Sequence, residues 1–169
     1  AGFTDTESAL KLMTSTMNVF GMEGTEAMQE ISDKMLTTQN LGVTSVGELA
    51  NSLGSVTPLA KAAGISLGDV LGATGALTKG GQATSEAMTG LKGMISNIIK
   101  PTKQASDMAK QLGIDFSTTA LKNKGFPAFL EEIKEKTGGN TDQMAKLFGS
   151  VQGLNAVLSL TSEEGFTDF

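Results

Sequence analysis

Gly64-Ile65-Ser66-Leu67-Gly68-Asp69-Val70-Leu71-Gly72-Ala73-Thr74-Gly75-Ala76-Leu77 contains, in one run, a way to stop one helix and start the next. Glycine accepts the left-handed conformation that closes a helix. The Ser66 hydroxyl is suited to cap the free N–H groups of a following helix. Ile65, just before that cap, is placed to staple onto Val70 one turn in. Leu67, Val70, Leu71, Thr74 and Leu77 then recur at spacings of 3 and 4, which stacks them on one side of a helix. The order glycine, β-branched residue, hydroxyl also occurs at Gly42-Val43-Thr44, and Gly113-Ile114 begins the same way before departing from it. The two full copies give a weak helical repeat of roughly 22 residues, too few to read as a solenoid.

Outward from this run the same spacing fills almost the whole chain. One face is lined by Leu10, Met13, Met17 and Phe20, and another by Met28, Ile31 and Met35. A third stripe runs from Val46 through Leu49, Leu53, Val56 and Ala60 to Ala63. Beyond the quoted run come Met88, Leu91, Ile95 and Ile98, then Ala105, Met108, Ala109 and Leu112. Phe126, Phe129, Leu130 and Ile133 follow, and Met144, Leu147, Phe148, Val151, Leu154 and Leu158 close the series. The expected fold is all-α, with about eight short-to-medium amphipathic helices joined by Gly and Pro turns.

The joints carry their own signals. Thr4 with Glu7 and Ser45 with Glu48 read as capping boxes. Pro58 lies inside the third stripe, where its missing N–H predicts a break or kink near Val56-Thr57. Pro101 predicts the separation of two helices, and Gly113 the end of one. Between Gly113 and Gly125 Ile114 and Phe116 alternate with polar residues, which predicts a short hairpin or an irregular loop near 114–125. The resulting organisation is one unit over 1–169: helical over 1–112, loop or hairpin over 113–125, helical over 126–162 and a frayed end over 163–169.

Composition removes whole classes of chemistry. The 169 residues include no Cys, His, Trp or Tyr, and every basic residue is Lys. Zinc fingers, haem ligation by His, iron–sulfur clusters, disulfides and Cys or His catalysis are therefore excluded. The formal net charge of -5 argues against nucleic acid as a partner, since phosphate binding needs a basic surface. Lys100, Lys103 and Lys110 make one local basic patch, read as a solvated helix face. No apolar run approaches the ~20 residues that span a bilayer. Asp5 and Glu7 stand where a signal peptide would be basic. The opening without Met and the abrupt stop at Phe169 read as an excised segment.

Other motifs have bland readings that outweigh sharp ones. Gly68 and Gly72, Gly90 and Gly93, and Gly149 and Gly153 are spaced for close helix approach, inside the molecule or between molecules. Lys79-Gly80-Gly81-Gln82-Ala83-Thr84-Ser85 resembles a phosphate cradle but lacks the Gly-Lys-Ser/Thr ending, and reads as a helix stop, a turn and a cap. The nine Met residues fall mostly on the apolar stripes and read as core filler, with an adaptable partner surface as the alternative. Glu131, Glu132 and Glu135 sit among lysines on an ordinary solvated face, and no Trp or Tyr is present to line a sugar cleft. No catalytic, metal or cofactor residue is selected. Pro58, Gly64, Pro101, Gly113, Phe148 and Gly149 are expected to shape the fold, Phe148 by anchoring the last helix in the core.

From Ala76 onward the order of motifs resembles a known family. Ala76-Leu77-Thr78-Lys79-Gly80-Gly81 leads through Ala87-Met88-Thr89-Gly90-Leu91-Lys92 to Ile98-Ile99-Lys100-Pro101-Thr102-Lys103. Leu112-Gly113-Ile114-Asp115-Phe116 and Phe129-Leu130 follow, and Leu147-Phe148-Gly149-Ser150-Val151-Gln152-Gly153-Leu154 closes the series. This order is similar to the core domain of phage tail tape measure proteins. Asn18-Val19-Phe20-Gly21, Leu49-Ala50-Asn51-Ser52-Leu53-Gly54 and the run from Val56 to Ser66 match it more loosely.

The resemblance implies a structural segment of a larger chain, not an enzyme, and no cofactor. It implies a role in setting tail tube length and assisting tail assembly, in the tail lumen and, during assembly, in the host cytoplasm. The implied partners are the tail tube protein, tail assembly chaperones and tail-tip proteins, with self-association. Competing classes are a membrane-active module for genome delivery, suggested by Gly/Ala/Ser-rich helices, a wall-degrading enzyme, and a helical adaptor unrelated to tails.

Overall fold

A computed structural model describes residues 6–168, and among these the chain is built from twelve helices without a strand. They are α1 (Thr6–Phe20), α2 (Gly24–Leu41), α3 (Val46–Leu53), α4 (Thr57–Ala63), α5 (Leu67–Lys79) and α6 (Thr84–Ile99). Then come α7 (Lys103–Leu112), α8 (Thr118–Lys124), α9 (Phe126–Thr137), α10 (Thr141–Leu147), α11 (Val151–Leu160) and α12 (Glu163–Asp168).

The joint at Gly64 works as its residues dictate. Gly64 has φ 79°, in the left-handed region, and the Ile65 N–H reaches back to the Ala60 carbonyl at 2.9 Å. Ser66 Oγ accepts from the Asp69 N–H at 3.0 Å, while the Asp69 carboxylate accepts from the Ser66 N–H at 3.3 Å. Two of the orphan donors at the start of α5 are thereby satisfied. Ile65 and Val70 are both buried in the core.

α6 is the hub. It packs on α3, α4, α5 and most extensively on α11. Its buried face is wide, carrying Ala87, Met88, Gly90, Leu91, Met94, Ile95 and Ile98. α1 lies on α2, α3 and α4, α2 lies on α5, and α7 lies on α10. One hydrophobic core draws on every helix from α1 to α11. Five of the nine Met residues lie in that core, Met144 is buried outside it, and Met13, Met22 and Met28 pack against it, so each of the nine fills apolar space.

Several expectations need correction. The helices among the described residues number twelve, not about eight, because some stripes are cut by their joints. The break expected near Val56-Thr57 is present: Leu53 ends α3, and Pro58 sits in the first turn of α4, where a missing N–H costs nothing. The last stripe is also cut. Phe148 and Gly149 separate α10 from α11, and Val151 is left 69% exposed, while Gly153, Ala156, Val157 and Leu160 form the core face.

Residues 114–125 are neither a hairpin nor wholly loop. Ile114 and Phe116 do point inward around an exposed Asp115, but no second strand pairs with them, and Ser117 caps the short helix α8. Residues 163–168 form α12 rather than a frayed end. The Thr4–Glu7 box lies partly outside the described residues. At Ser45 the hydroxyl accepts from the Glu48 N–H at 3.2 Å, but the Glu48 carboxylate takes the Ser45 hydroxyl rather than its N–H.

The two copies of the glycine–hydroxyl motif do different work. Gly42 is extended, not left-handed. Its reason is space: a Cβ there would stand 2.5 Å from Thr78 Oγ1 and 3.0 Å from the Gly75 backbone. The adjacent Val43 N–H donates to Thr78 Oγ1 at 3.2 Å, and Thr44 shares a 2.7 Å hydroxyl contact with Thr84. Ser45, not Thr44, caps α3.

Candidate functional site

The structure gives each expected shaping residue a definite place. Pro101 lies in the linker between α6 and α7, and Thr102 behind it caps α7 through the Ala105 N–H at 3.1 Å. Gly113, at φ 65°, closes α7. Phe148 is fully buried, with Phe116 edge-on at 5.4 Å between ring centroids, and Phe116 also meets Phe129 at 6.0 Å. Gly149 is exposed beside it, with open space around its Cβ position. These residues lie at separate places in the fold and do not converge on one site.

Two helix backbones approach closely at the seam between α6 and α11. A Cβ on Gly90 would stand 2.9 Å from Ala156 Cβ and 3.0 Å from the Gln152 carbonyl oxygen. A Cβ on Gly153 would stand 3.2 Å from the Met94 nitrogen and 3.3 Å from the Gly93 carbonyl carbon. Ser150 Oγ sits in the same seam and accepts from the Gly153 N–H at 3.1 Å. The glycine spacing is thus used inside the molecule here, on helices the sequence had placed separately.

Beside the seam runs a groove of about 720 Å³ whose polar lining includes Gln82, Ser85, Thr89, Gln152 and Asn155. Gln82 bridges it, donating through Nε2 to Ser159 Oγ at 3.2 Å. Hydroxyls and amides can hydrogen-bond a ligand, and the one carboxylate in the lining, Glu86, accepts from the Ala83 N–H at the start of α6. Among the described residues no cluster of three or more His, Cys, Asp or Glu is arranged to hold a metal ion. No helix among them is long and apolar enough to cross a membrane. The Lys79-Gly80-Gly81 run is a helix stop and turn: Gly81 has φ 96°, and the Glu86 carboxylate caps the next helix at the Ala83 N–H. Lys100, Lys103 and Lys110 are exposed. Glu131 and Glu135 are exposed too, and Glu132 pairs with Lys124.

The comparisons with known proteins say what kind of chain this is. A family model described as Phage-related minor tail protein matches residues 1–153. The chain belongs to the phage-related minor tail protein family. This minor tail protein chain is 30% identical over 172 residues to the probable tape measure protein of Clostridium phage phiCD119, covering 96% of the chain and 18% of the relative. It is 25% identical over 167 residues to the tape measure protein of Pneumococcus phage Dp-1, covering 95% of the chain and 14% of the relative. Against the probable tape measure protein of Escherichia phage P2 it is 27% identical over 134 residues, covering 78% and 16%. The chain therefore spans less than one-fifth of the length of these curated relatives. No solved structure matches it. The family assigns a structural role in the phage tail, and the resemblance drawn from the motif order is the same family.

Proposed function

We propose that this chain is a structural segment of a tape measure protein, acting in the tail lumen to set tail tube length and assist assembly. The observation that carries the reading is the match to three proteins named as tape measure or probable tape measure proteins, over 78–96% of this chain. The fold is compatible with it: short helices bury their stripes in one core. The partners of such a segment are tube subunits, assembly chaperones and tail-tip proteins. Its places are the host cytoplasm during assembly and the virion tail afterwards. Its action is positional, not enzymatic.

The test is an in-frame deletion of α1–α12 within the parent gene, with tail length measured by electron microscopy. A uniformly shorter tail is expected, by no more than about 250 Å, the span of 169 residues in one continuous helix. Tails of unchanged length would put the segment outside the ruler.

A further inference from the structure

We propose that the channel between α11 and the α5–α6 turn is a docking groove for a short, extended, basic peptide segment of a partner protein. The groove beside the α6–α11 seam continues past Ser159 into a second hollow of about 840 Å³ against α12, and the two share Gly80, Leu158 and Ser159. Together they follow α11 from Val151 to just beyond its end at Ser162. That path is roughly 16 Å at 1.5 Å per residue, the length of about five residues of extended chain. Its walls are polar on both sides. Ser85 and Thr89 stand four apart on α6, and Gln152, Asn155 and Ser159 stand three and four apart on α11, so each set shares one side of its helix. The Gln152 and Asn155 carboxamides are exposed and have no hydrogen-bond partner among the described residues.

This lining selects among ligands. A carboxamide offers donors and an acceptor on one planar group, which matches the alternating N–H and C=O groups of an extended backbone. Neither hollow is lined by an aromatic side chain, so a nucleic-acid base has no ring to stack on. An open polar trough also lacks the apolar walls that hold most small molecules. The charged side chains along the channel are Glu86, Glu163 and Glu164 against Lys79, so its potential is negative and favours a Lys or Arg in the peptide over an acidic residue. Val151, 69% exposed, and the half-buried Leu158 give apolar side chains of the peptide surface to cover. Ser159 lies where the two hollows meet, and its bond from Gln82 can be exchanged for bonds to the peptide, so entry strands no polar group. None of this depends on the tail-length reading.

A random-heptapeptide display screen against the 169-residue chain tests it, followed by titration of the enriched peptides, capped at both ends, into isotope-labelled protein. The enriched peptides should carry Lys or Arg beside apolar residues, and should shift the backbone amide signals of Gln82, Thr89, Gln152, Asn155 and Ser159. Gln152→Ala with Asn155→Ala, both at exposed positions, should weaken their binding about tenfold with unchanged helical circular dichroism. Glu163→Gln with Glu164→Gln should reduce the preference for a lysine peptide over its norleucine counterpart. A screen that enriches nothing overturns the proposal. So do enriched peptides that are acidic, that shift signals only away from this channel, or that bind the Gln152/Asn155 variant as tightly as the wild type. A lysine preference unchanged by the two Glu→Gln substitutions overturns it as well.

Discussion

Gly93 and Gly153 meet backbone to backbone across the α6–α11 seam: a methyl on Gly153 would lie 3.3 Å from the Gly93 carbonyl carbon. Helix propensity alone favours alanine over an interior glycine by about 1 kcal/mol. Packing reverses that preference wherever another backbone occupies the space of the Cβ. The hub of the fold is therefore set by what the glycines lack.

That reversal can be measured with one pair of variants. Gly90→Ala should destabilise by about 1–3 kcal/mol, since its methyl would meet Ala156 Cβ at 2.9 Å and a carbonyl oxygen at 3.0 Å. Gly68→Ala meets only ordinary contacts, at 3.6 Å and beyond, and should be neutral or stabilise by up to about 1 kcal/mol. Urea unfolding of both reads the sign directly. Equal effects at the two positions would remove the packing explanation.

Phe148 tests the cluster that ties the second half together. Phe148→Ala should cost about 3–5 kcal/mol, because a fully buried ring is replaced by a cavity. Phe116→Ala should cost less, since Phe116 retains slight exposure. A double-mutant cycle should give about 0.5–1.5 kcal/mol of coupling from their edge-to-face contact. No coupling would mean that the rings do not meet.

The cap at α5 is a local device with a local magnitude. Ser66→Ala removes both the acceptor for the Asp69 N–H and the hydroxyl bonded to its carboxylate. A loss of about 1 kcal/mol is expected, or a fall of roughly 2–4 °C in Tm for a domain of this size. Thermal melting followed by circular dichroism at 222 nm would show it, and an unchanged Tm would count against the cap.

Thr16 carries the opposite expectation. Its hydroxyl is buried in α1 and has no hydrogen-bond partner among the described residues. Three other buried threonines, Thr74, Thr137 and Thr161, each donate to the carbonyl four residues back at 2.7 Å. Thr16→Val keeps the shape and removes an unsatisfied polar group, so it should stabilise by about 1 kcal/mol. A destabilised variant in chemical denaturation would show that the hydroxyl has a partner after all.

The helical class was legible because a 3.6-residue period survives in almost every stripe, and Gly64-Ile65-Ser66 shows why some joints were legible too. Their signals are local: a left-handed glycine, a hydroxyl and a staple all act within one turn. Gly42 was misread because its constraint comes from Thr78 and Gly75, far along the chain. Val151 was misread because a stripe can be drawn through Phe148-Gly149 at helical spacing although the chain turns there. Short helices such as α8 and α12 escaped because seven and six residues hold too few apolar positions to show a period. As for the site, the absence of His and Cys already removed most chemistry, and the motif order carried the family. The pairing of α6 with α11 is a tertiary fact, and nothing in the spacing of Gly90, Gly93 and Gly153 names the partner.

The most direct test of the tape measure reading is a tandem in-frame duplication of this segment in the parent gene, followed by electron microscopy of the tails. Duplication leaves one copy intact for assembly, so a change of length reports the ruler itself. The reading predicts one discrete population of longer tails, the increase bounded by about 250 Å for 169 added residues at 1.5 Å each. Tails of parental length, assembled in normal number, would contradict it.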